Sequence, residues 1–159
     1  NLRQMIAHRS KCPCIRCREV RADYKIKEKI VLDRIDYEAS GGKEIFLQYV
    51  SPDKKKLFAL LRLRIPRLEA RLLSTFTVLR NAAIVREIHT YGKLTAINKK
   101  DKKSPQHIGL GKKLMQEAER IVKKEYGFNK IVVISGVGAR GYYRKIGYRL
   151  KNTYMVKNL

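Results

Sequence analysis

Residues 106–124 read QHIGLGKKLMQEAERIVKK, a glycine-containing turn that leads directly into an amphipathic stretch. The apolar residues Leu114, Ala118 and Ile121 repeat with the spacing of one helix face, which predicts a helix over 109–126. Glycines let the backbone approach a ligand closely, and the unpaired N–H groups of the first helical turn point toward that ligand. The stretch therefore predicts a phosphate-binding turn at the start of a long helix.

The residues before this helix predict a run of strands. Apolar residues that alternate or form short continuous runs predict strands over 26–39, 44–50, 57–65 and 83–92. Short turns containing Gly, Ser and Pro separate the first three strands, which favours an antiparallel meander. The stretch 67–82 is ambiguous, because its leucines have helical spacing whereas its threonines favour a strand.

The residues after the helix predict the second half of a strand–helix–strand crossover, which is right-handed as a rule. Residues 130–135, KIVVIS, lack polar alternation, which suits a parallel central strand. A short helix over 139–146 and a last strand over 148–156 follow. We therefore expect an α/β fold with a mixed, mostly antiparallel sheet and flanking helices, preceded by a cysteine-containing linker segment over 1–25.

The charge of the chain indicates the kind of partner it meets. The 159 residues include 37 Lys and Arg against 14 Asp and Glu, a net charge of +23. Such a field attracts polyanions, namely nucleic acid, anionic lipid or acidic protein segments; the alternative is a basic surface that serves solubility. No apolar run reaches the roughly 18 residues of a membrane span, and no secretory signal begins the chain. We expect a cytoplasmic location and, since the chain begins with Asn1, a part of a longer protein.

Two sets of residues carry a family resemblance. The spacing Gln106-x-x-Gly109-x-Gly111 resembles the pyrophosphate loop of the GNAT acetyltransferases, which bind acetyl-CoA. Four segments resemble the C-terminal acetyltransferase domain of the Elongator catalytic subunit family: 84–92, 106–111, 134–150 and 154–157. That family joins this domain to an N-terminal radical SAM domain and modifies the wobble uridine of tRNA. Because the chain lacks the radical SAM cysteine motif, the resemblance implies the acetyltransferase part alone, with a GNAT-like domain over 26–159.

The resemblance implies acetyl-CoA-dependent modification of the wobble uridine. The expected partners are tRNA, the N-terminal radical SAM domain, and other Elongator-like subunits or a second copy, with no membrane. A 4Fe–4S cluster and S-adenosylmethionine would belong to the N-terminal domain only. The alternatives are a protein lysine (histone-like) N-acetyltransferase and a non-catalytic RNA-binding module. A lysine acetyltransferase needs an acidic groove for a basic peptide, and the basic composition argues against it.

Three groups of residues are expected to hold acetyl-CoA, and strands 83–92 and 130–135 should splay apart to admit the thioester. The backbone around the glycine turn would bind the pyrophosphate through Gln106, His107, Ile108, Gly109, Leu110, Gly111, Lys112 and Lys113. The preceding strand would pair with the pantetheine amides through Ile88, His89 and Thr90, and Ser135 ends the strand opposite.

Two tyrosines are the expected catalytic residues. A phenol can protonate a leaving thiolate or orient a carbonyl, and by resemblance Tyr143 is favoured beside the sulfur, with Tyr142 as an equal partner. Both would otherwise be core residues of a short helix. Glu87 lies where a general base could act, although a structural pairing with Arg86 or another basic neighbour is the simpler interpretation.

The N-terminal segment combines cysteines with basic residues. The spacing of Cys12, Cys14 and Cys17 is typical of zinc ligands, with His8 or a residue of the missing domain as the fourth; reduced thiols are the alternative. Six basic residues around these cysteines are expected to contact RNA phosphates: Arg3, Arg9, Lys11, Arg16, Arg18 and Arg21. A second basic group comprises Lys99, Lys100, Lys102 and Lys103.

Overall fold

A computed structural model describes residues 12–20, 28–67, 75–92 and 109–159, and its described strands form one seven-stranded sheet. The strand order is β1-β2-β3-β4-β5-β7-β6, with β4 and β5 parallel and every other neighbouring pair antiparallel. The strands are β1 (Val31–Ala39), β2 (Gly42–Val50), β3 (Leu57–Pro66), β4 (Ala83–Thr90), β5 (Lys130–Ile134), β6 (Arg149–Lys151) and β7 (Tyr154–Asn158). The predicted mixed, mostly antiparallel α/β sheet is therefore confirmed.

Among the described residues, three α-helices accompany the sheet: α1 (Ile15–Arg18), α2 (Leu110–Lys124) and α3 (Arg140–Lys145). Helix α2 connects β4 to β5 as the predicted crossover, and Gly127, with φ of +66°, follows its end. Its buried side chains include Leu114, Ala118 and Ile121, which share one hydrophobic core with the facing strands. Burial of a leucine or isoleucine side chain, as at Leu114 and Ile121, stabilises the fold by roughly 1.5–3 kcal/mol relative to exposure.

The chain end differs from the prediction of one strand over 148–156. The structure has a hairpin of β6 and β7, and β7 lies between β5 and β6. Asn152, with φ of +53°, makes the turn, because asparagine tolerates the left-handed region better than most residues. The ambiguous stretch holds a short 3₁₀ turn at Thr77–Leu79, whereas 68–74 lies outside the described residues.

The two faces of the sheet bury different clusters. The face under α2 carries the main core, whereas the opposite face carries a smaller cluster that includes Phe46, Val50 and Leu60. Ile15 of α1 packs against this smaller cluster, so α1 lies on the face of the sheet away from α2. Val20 follows α1, donates its N–H to the Leu57 carbonyl at 3.0 Å and buries its side chain in the main core. In the described ranges, no helix is long and apolar enough to cross a membrane.

Candidate functional site

The two parallel strands of the sheet are paired along only part of their length. Strand β4 pairs with β5 at Ala83, Ile84 and Val85, yet β4 continues to Thr90. On its other side β4 carries an irregularity that leaves Arg86 between two register positions, and such bulges increase local twist. The pairing of β4 with β5 therefore ends at Val85, which agrees with the predicted splaying of these strands; the space beside the unpaired end of β4 is called the slot below.

The start of α2 lies against the end of β4 and against α3. A Cβ built on Gly111 would lie 3.4 Å from the Tyr142 hydroxyl, 3.5 Å from Cγ2 of Thr90 and 4.0 Å from Cδ1 of Ile88. Four residues that the sequence assigned to one site are thus brought together by three separate elements. Gly109 precedes the helix with φ of +72°, a conformation that glycine adopts without strain.

The first turn of α2 suits an anion. It contains no acidic residue, and Lys112 and Lys113 lie in it with exposed side chains. Cations are unfavourable near the positive end of the helix dipole unless a negative group offsets them. This composition, with the unpaired N–H groups that begin a helix, is compatible with the predicted binding of a phosphate group.

The two candidate tyrosines differ in position. Tyr142 is 39% exposed and presents its hydroxyl toward Gly111, whereas Tyr143 is 4% exposed and belongs to the core. Their rings meet edge to face, with centroids 5.2 Å apart. Burial raises the pKa of Tyr142, and burial together with Tyr142 raises the pKa of Tyr143 to about 12. Both phenols therefore keep their proton at neutral pH, so each can donate a hydrogen bond but cannot serve as a base.

A buried network that the sequence analysis missed supports α3 from behind. Tyr148 stacks edge to face on Tyr143 at 5.9 Å, and its hydroxyl donates to Oε1 of Glu119 at 2.9 Å. Nζ of Lys157 donates to Oε2 of the same carboxylate at 2.8 Å. Burial, followed by the charge of Glu119, raises the pKa of Tyr148. The sequence held one signal of this network: Glu119 lies on the inner side of α2, where a carboxylate needs a partner.

His89 and Glu87 face away from this site. Residues on a strand alternate between faces, so Ile88 and Thr90 lie under α2 while His89 and Glu87 lie on the opposite face. Glu87 pairs with Arg62 at 3.2 Å, a basic neighbour other than the adjacent arginine. The His89 ring contacts the Tyr91 ring, with centroids 4.5 Å apart. Only the backbone of His89 remains available to a ligand in the slot.

The other candidate cofactor residues are only partly described. The Ser135 hydroxyl donates to the Gly136 carbonyl at 2.9 Å, just after the end of β5. Leu110 is buried as the first residue of α2 and contributes its backbone to the turn. Gln106, His107 and Ile108 lie outside the described residues.

The three cysteines lie close enough together to hold one metal ion. The sulfur atoms of Cys12, Cys14 and Cys17 all lie within 4.8 Å of one another. A tetrahedral zinc ion with bonds of about 2.3 Å holds its sulfurs roughly 3.8 Å apart, so these donors fit with small adjustments. The Cys17 backbone N–H and the neighbouring thiols lower the pKa of Cys14 to about 7. The candidate fourth ligand, His8, lies outside the described residues.

Of the candidate RNA-contacting residues, the structure describes two, and these two differ in exposure. Arg16 is exposed, whereas Arg18 donates to Oε1 of Gln48 at 3.0 Å and to the Lys54 carbonyl at 3.3 Å. Arg18 therefore anchors its segment to the sheet, which reduces its availability to a partner. The remaining candidates lie outside the described residues: Arg3, Arg9, Lys11, Arg21, Lys99, Lys100, Lys102 and Lys103.

Comparison with known proteins gives consistent matches. The profile of the acetyltransferase (GNAT) domain matches residues 102–158. All of the chain aligns at 45% identity with 30% of Elongator complex protein 3 from Bos taurus. A tRNA uridine(34) acetyltransferase from Methanocaldococcus infernus is 46% identical over 94% of this chain and 28% of that protein.

A solved structure resembles the fold as well. The archaeal Methanocaldococcus infernus Elp3 with an N-terminal deletion has a TM-score of 0.73 and 40% identity, over 99% of this chain and 38% of that one. This chain spans less than a third of the length of the two curated relatives above.

Proposed function

This chain belongs to the Elongator complex protein 3 family, and we propose that it is the acetyl-CoA-binding acyltransferase domain of an enzyme that modifies uridine 34 of tRNA. The observation that carries the proposal is the meeting of Gly111, Thr90, Ile88 and Tyr142 at the open end of the slot. A turn with free N–H groups, a strand edge and a protonated phenol are the three features that a thioester of CoA requires.

The first feature would bind the phosphates. The N–H groups of the turn over 106–113 would hold the pyrophosphate, and Lys112 and Lys113 would neutralise its charge. The absence of a side chain on Gly111 leaves room for the ligand beside Thr90. The described edge of β4 over 88–90 would pair with the pantetheine amides, since it has no partner in β5 there.

The third feature, the protonated phenol, would act on the thioester. Acetyl-CoA supplies an activated acetyl group as a thioester when bound. Tyr142 would donate a proton or hydrogen bond to the departing sulfur, because burial keeps its phenol protonated. Tyr143 would hold Tyr142 in place from the core through the edge-to-face contact, or would itself approach the sulfur. Ser135 would line the opposite side of the slot.

The acceptor would approach from the other face of the sheet. The phosphate turn lies on the α2 side, so a thioester in the slot leaves the opposite side open to the acceptor. That side carries the packed cysteine segment with exposed Arg16, and Arg62 lies there beside Glu87. Basic side chains at this position support an RNA acceptor more readily than a basic peptide. The pairing of Glu87 with Arg62 also disfavours Glu87 as the base that a lysine acetyltransferase needs.

We further propose that Cys12, Cys14 and Cys17 bind zinc, with His8 or a residue of another domain as the fourth ligand. A structural zinc ion would fix the segment that packs on the sheet and would leave no open position for catalysis. By resemblance, a radical SAM domain with its 4Fe–4S cluster and S-adenosylmethionine lies in the same longer protein. Other Elongator-like subunits or a second copy complete the proposed partners, and tRNA modification implies the cytoplasm.

The test is thiol release from acetyl-CoA by the full-length protein. We expect release to be stimulated by tRNA and unaffected by a lysine peptide. Turnover with the peptide and indifference to tRNA would establish the lysine acetyltransferase instead. Binding of acetyl-CoA with no thiol release under either condition would contradict catalysis and leave a binding module.

A further inference from the structure

Three side chains at the end of β5 and around the last hairpin form one row across the sheet. Ile134 of β5 is paired with Tyr154 of β7, and Tyr154 is paired with Lys151 of β6. Residues directly opposite each other on antiparallel strands share a face, so the three side chains stand side by side. The row crosses two inter-strand spacings, about 10 Å. These three residues are called the terminal row below.

The terminal row lies on the face of the sheet away from α2 and begins at the slot. Tyr154 packs against the cluster that contains Val132, whereas the adjacent Met155 is buried in the main core under α2. Successive strand residues alternate between faces, which fixes the side of the row. Ile134 directly follows Val133, the last residue of β5 that pairs with β4. The row therefore starts where the two parallel strands separate, on the side proposed for the acceptor.

The end of the terminal row beside the slot is apolar. Ile134 is 56% exposed, although it ends a central strand of the sheet. Its neighbour Tyr154 is half-buried, so the two side chains offer one continuous apolar and aromatic surface to solvent. Unstacked nucleic-acid bases pack on aromatic and apolar side chains of this kind. The surface therefore suits a planar base that lies next to the thioester.

The outer end of the terminal row is basic. Residues 126–159 include seven Lys and Arg and no Asp or Glu. Arg149 and Lys130 lie on the same face as Lys151, at the start of β6 and of β5. Burial, followed by the charge of Lys151, lowers the pKa of Lys130, so the two ammonium groups lie close enough to repel. In the described part of the chain, no carboxylate forms an ion pair with these three cations. Such a cluster favours an anionic ligand.

We propose that the terminal row holds the acceptor nucleotide of the RNA, with its base against Ile134 and Tyr154 and its backbone phosphates at Lys151 and Arg149. The inference rests on the proposed function, because it places the acceptor of the same reaction. A nucleotide joins a planar base to an anionic phosphate, and the row offers the matching chemistry in the same order outward from the slot. A basic peptide would be repelled by the cations of the row.

The first test is the salt dependence of RNA binding by the full-length protein. The probe is an anticodon stem-loop RNA with uridine at position 34, and binding is measured by fluorescence anisotropy. Lys151→Gln should weaken binding by roughly three- to tenfold and reduce the slope of log K against log salt by about 0.7–0.9, the effect of one phosphate contact. Lys124→Gln is the matched control, since it removes the same charge from α2 on the other face of the sheet. It should leave the affinity and the slope unchanged.

The second test addresses the apolar end of the row. Ile134→Ser should lower the RNA affinity by about fivefold without changing the salt slope, because apolar contact is lost and no charge is removed. Leu32→Ser is its control, an equally exposed apolar residue on the edge strand β1. Thermal unfolding verifies that each variant is folded. The acetyl-CoA affinity, measured by calorimetry, should stay within about twofold in Lys151→Gln and Ile134→Ser, because the phosphate turn lies on the other face.

The outcomes distinguish a failure of this inference from a failure of the proposed function. RNA binding by Lys151→Gln and Ile134→Ser that matches their controls would overturn the inference and leave the proposed function standing. A loss of acetyl-CoA affinity in these variants, with RNA binding intact, would assign the row to the thioester and also overturn it. A wild-type protein that releases thiol with a lysine peptide and does not bind the RNA would refute the proposed function itself.

Discussion

Gly111→Ala provides a test in which stability and ligand binding should change in opposite directions. The backbone of Gly111 has no positive φ, and the nearest side-chain atoms to an added Cβ are 3.4, 3.5 and 4.0 Å away. The methyl group therefore fits with at most a small adjustment of the Tyr142 hydroxyl. Alanine is better than glycine in a helix by up to about 1 kcal/mol. We expect the free energy of unfolding to rise by about 0.5–1 kcal/mol, which corresponds to roughly 1–4 °C in Tm.

The same methyl group should weaken acetyl-CoA binding. It would occupy the space between Thr90 and Tyr142 that the ligand needs, and a clash worth 1.4 kcal/mol lowers affinity about tenfold. The assay is calorimetric titration with acetyl-CoA beside thermal unfolding of the unliganded protein, with Lys124→Ala as control on the same helix. A more stable variant with unchanged affinity would refute the placement of the ligand beside Gly111. A clearly destabilised variant would refute the packing argument.

Three further predictions follow from other parts of the structure. Tyr142→Phe should keep acetyl-CoA affinity within about threefold yet lower thiol release by about 10²-fold, as for a lost general acid; equal rates would exclude the phenol. Chelation of the metal should lower Tm by several degrees, because a bound ion would hold α1 where it packs on the smaller cluster beside Tyr91. A Tm of metal-loaded protein that chelation leaves unchanged would count against a structural ion. Arg34 holds the pKa of Asp36 below its usual value, so Asp36→Asn should lower the free energy of unfolding by at most about 1 kcal/mol above pH 4. Urea titrations should find that this difference vanishes at lower pH, and a difference that is constant with pH would contradict the prediction.

The order of strands and helices followed from the sequence because those features depend on near neighbours. The apolar spacing of α2, the turn at Gly109 and the runs of the first three strands are local patterns, and the structure confirms them. The hairpin of β6 and β7 escaped prediction because Asn152 is the only strong turn residue in that short stretch. A pattern of alternating residues does not reveal a turn of two residues within it.

The candidate site also combines features that depend on near neighbours in the sequence with features that depend on tertiary packing. The sequence by itself determined that a glycine turn before a helix, a strand and a tyrosine pair exist, since each is a local combination of residue types. Only the tertiary structure decided that Gly111 meets Thr90 and Tyr142, because three elements distant in the chain converge there. The tertiary structure also placed the His89 side chain on the face of the sheet away from α2. The bond between Glu119 and Lys157 likewise depends on how α2 packs on β7, since packing rather than local propensity sets which distant side chains become neighbours.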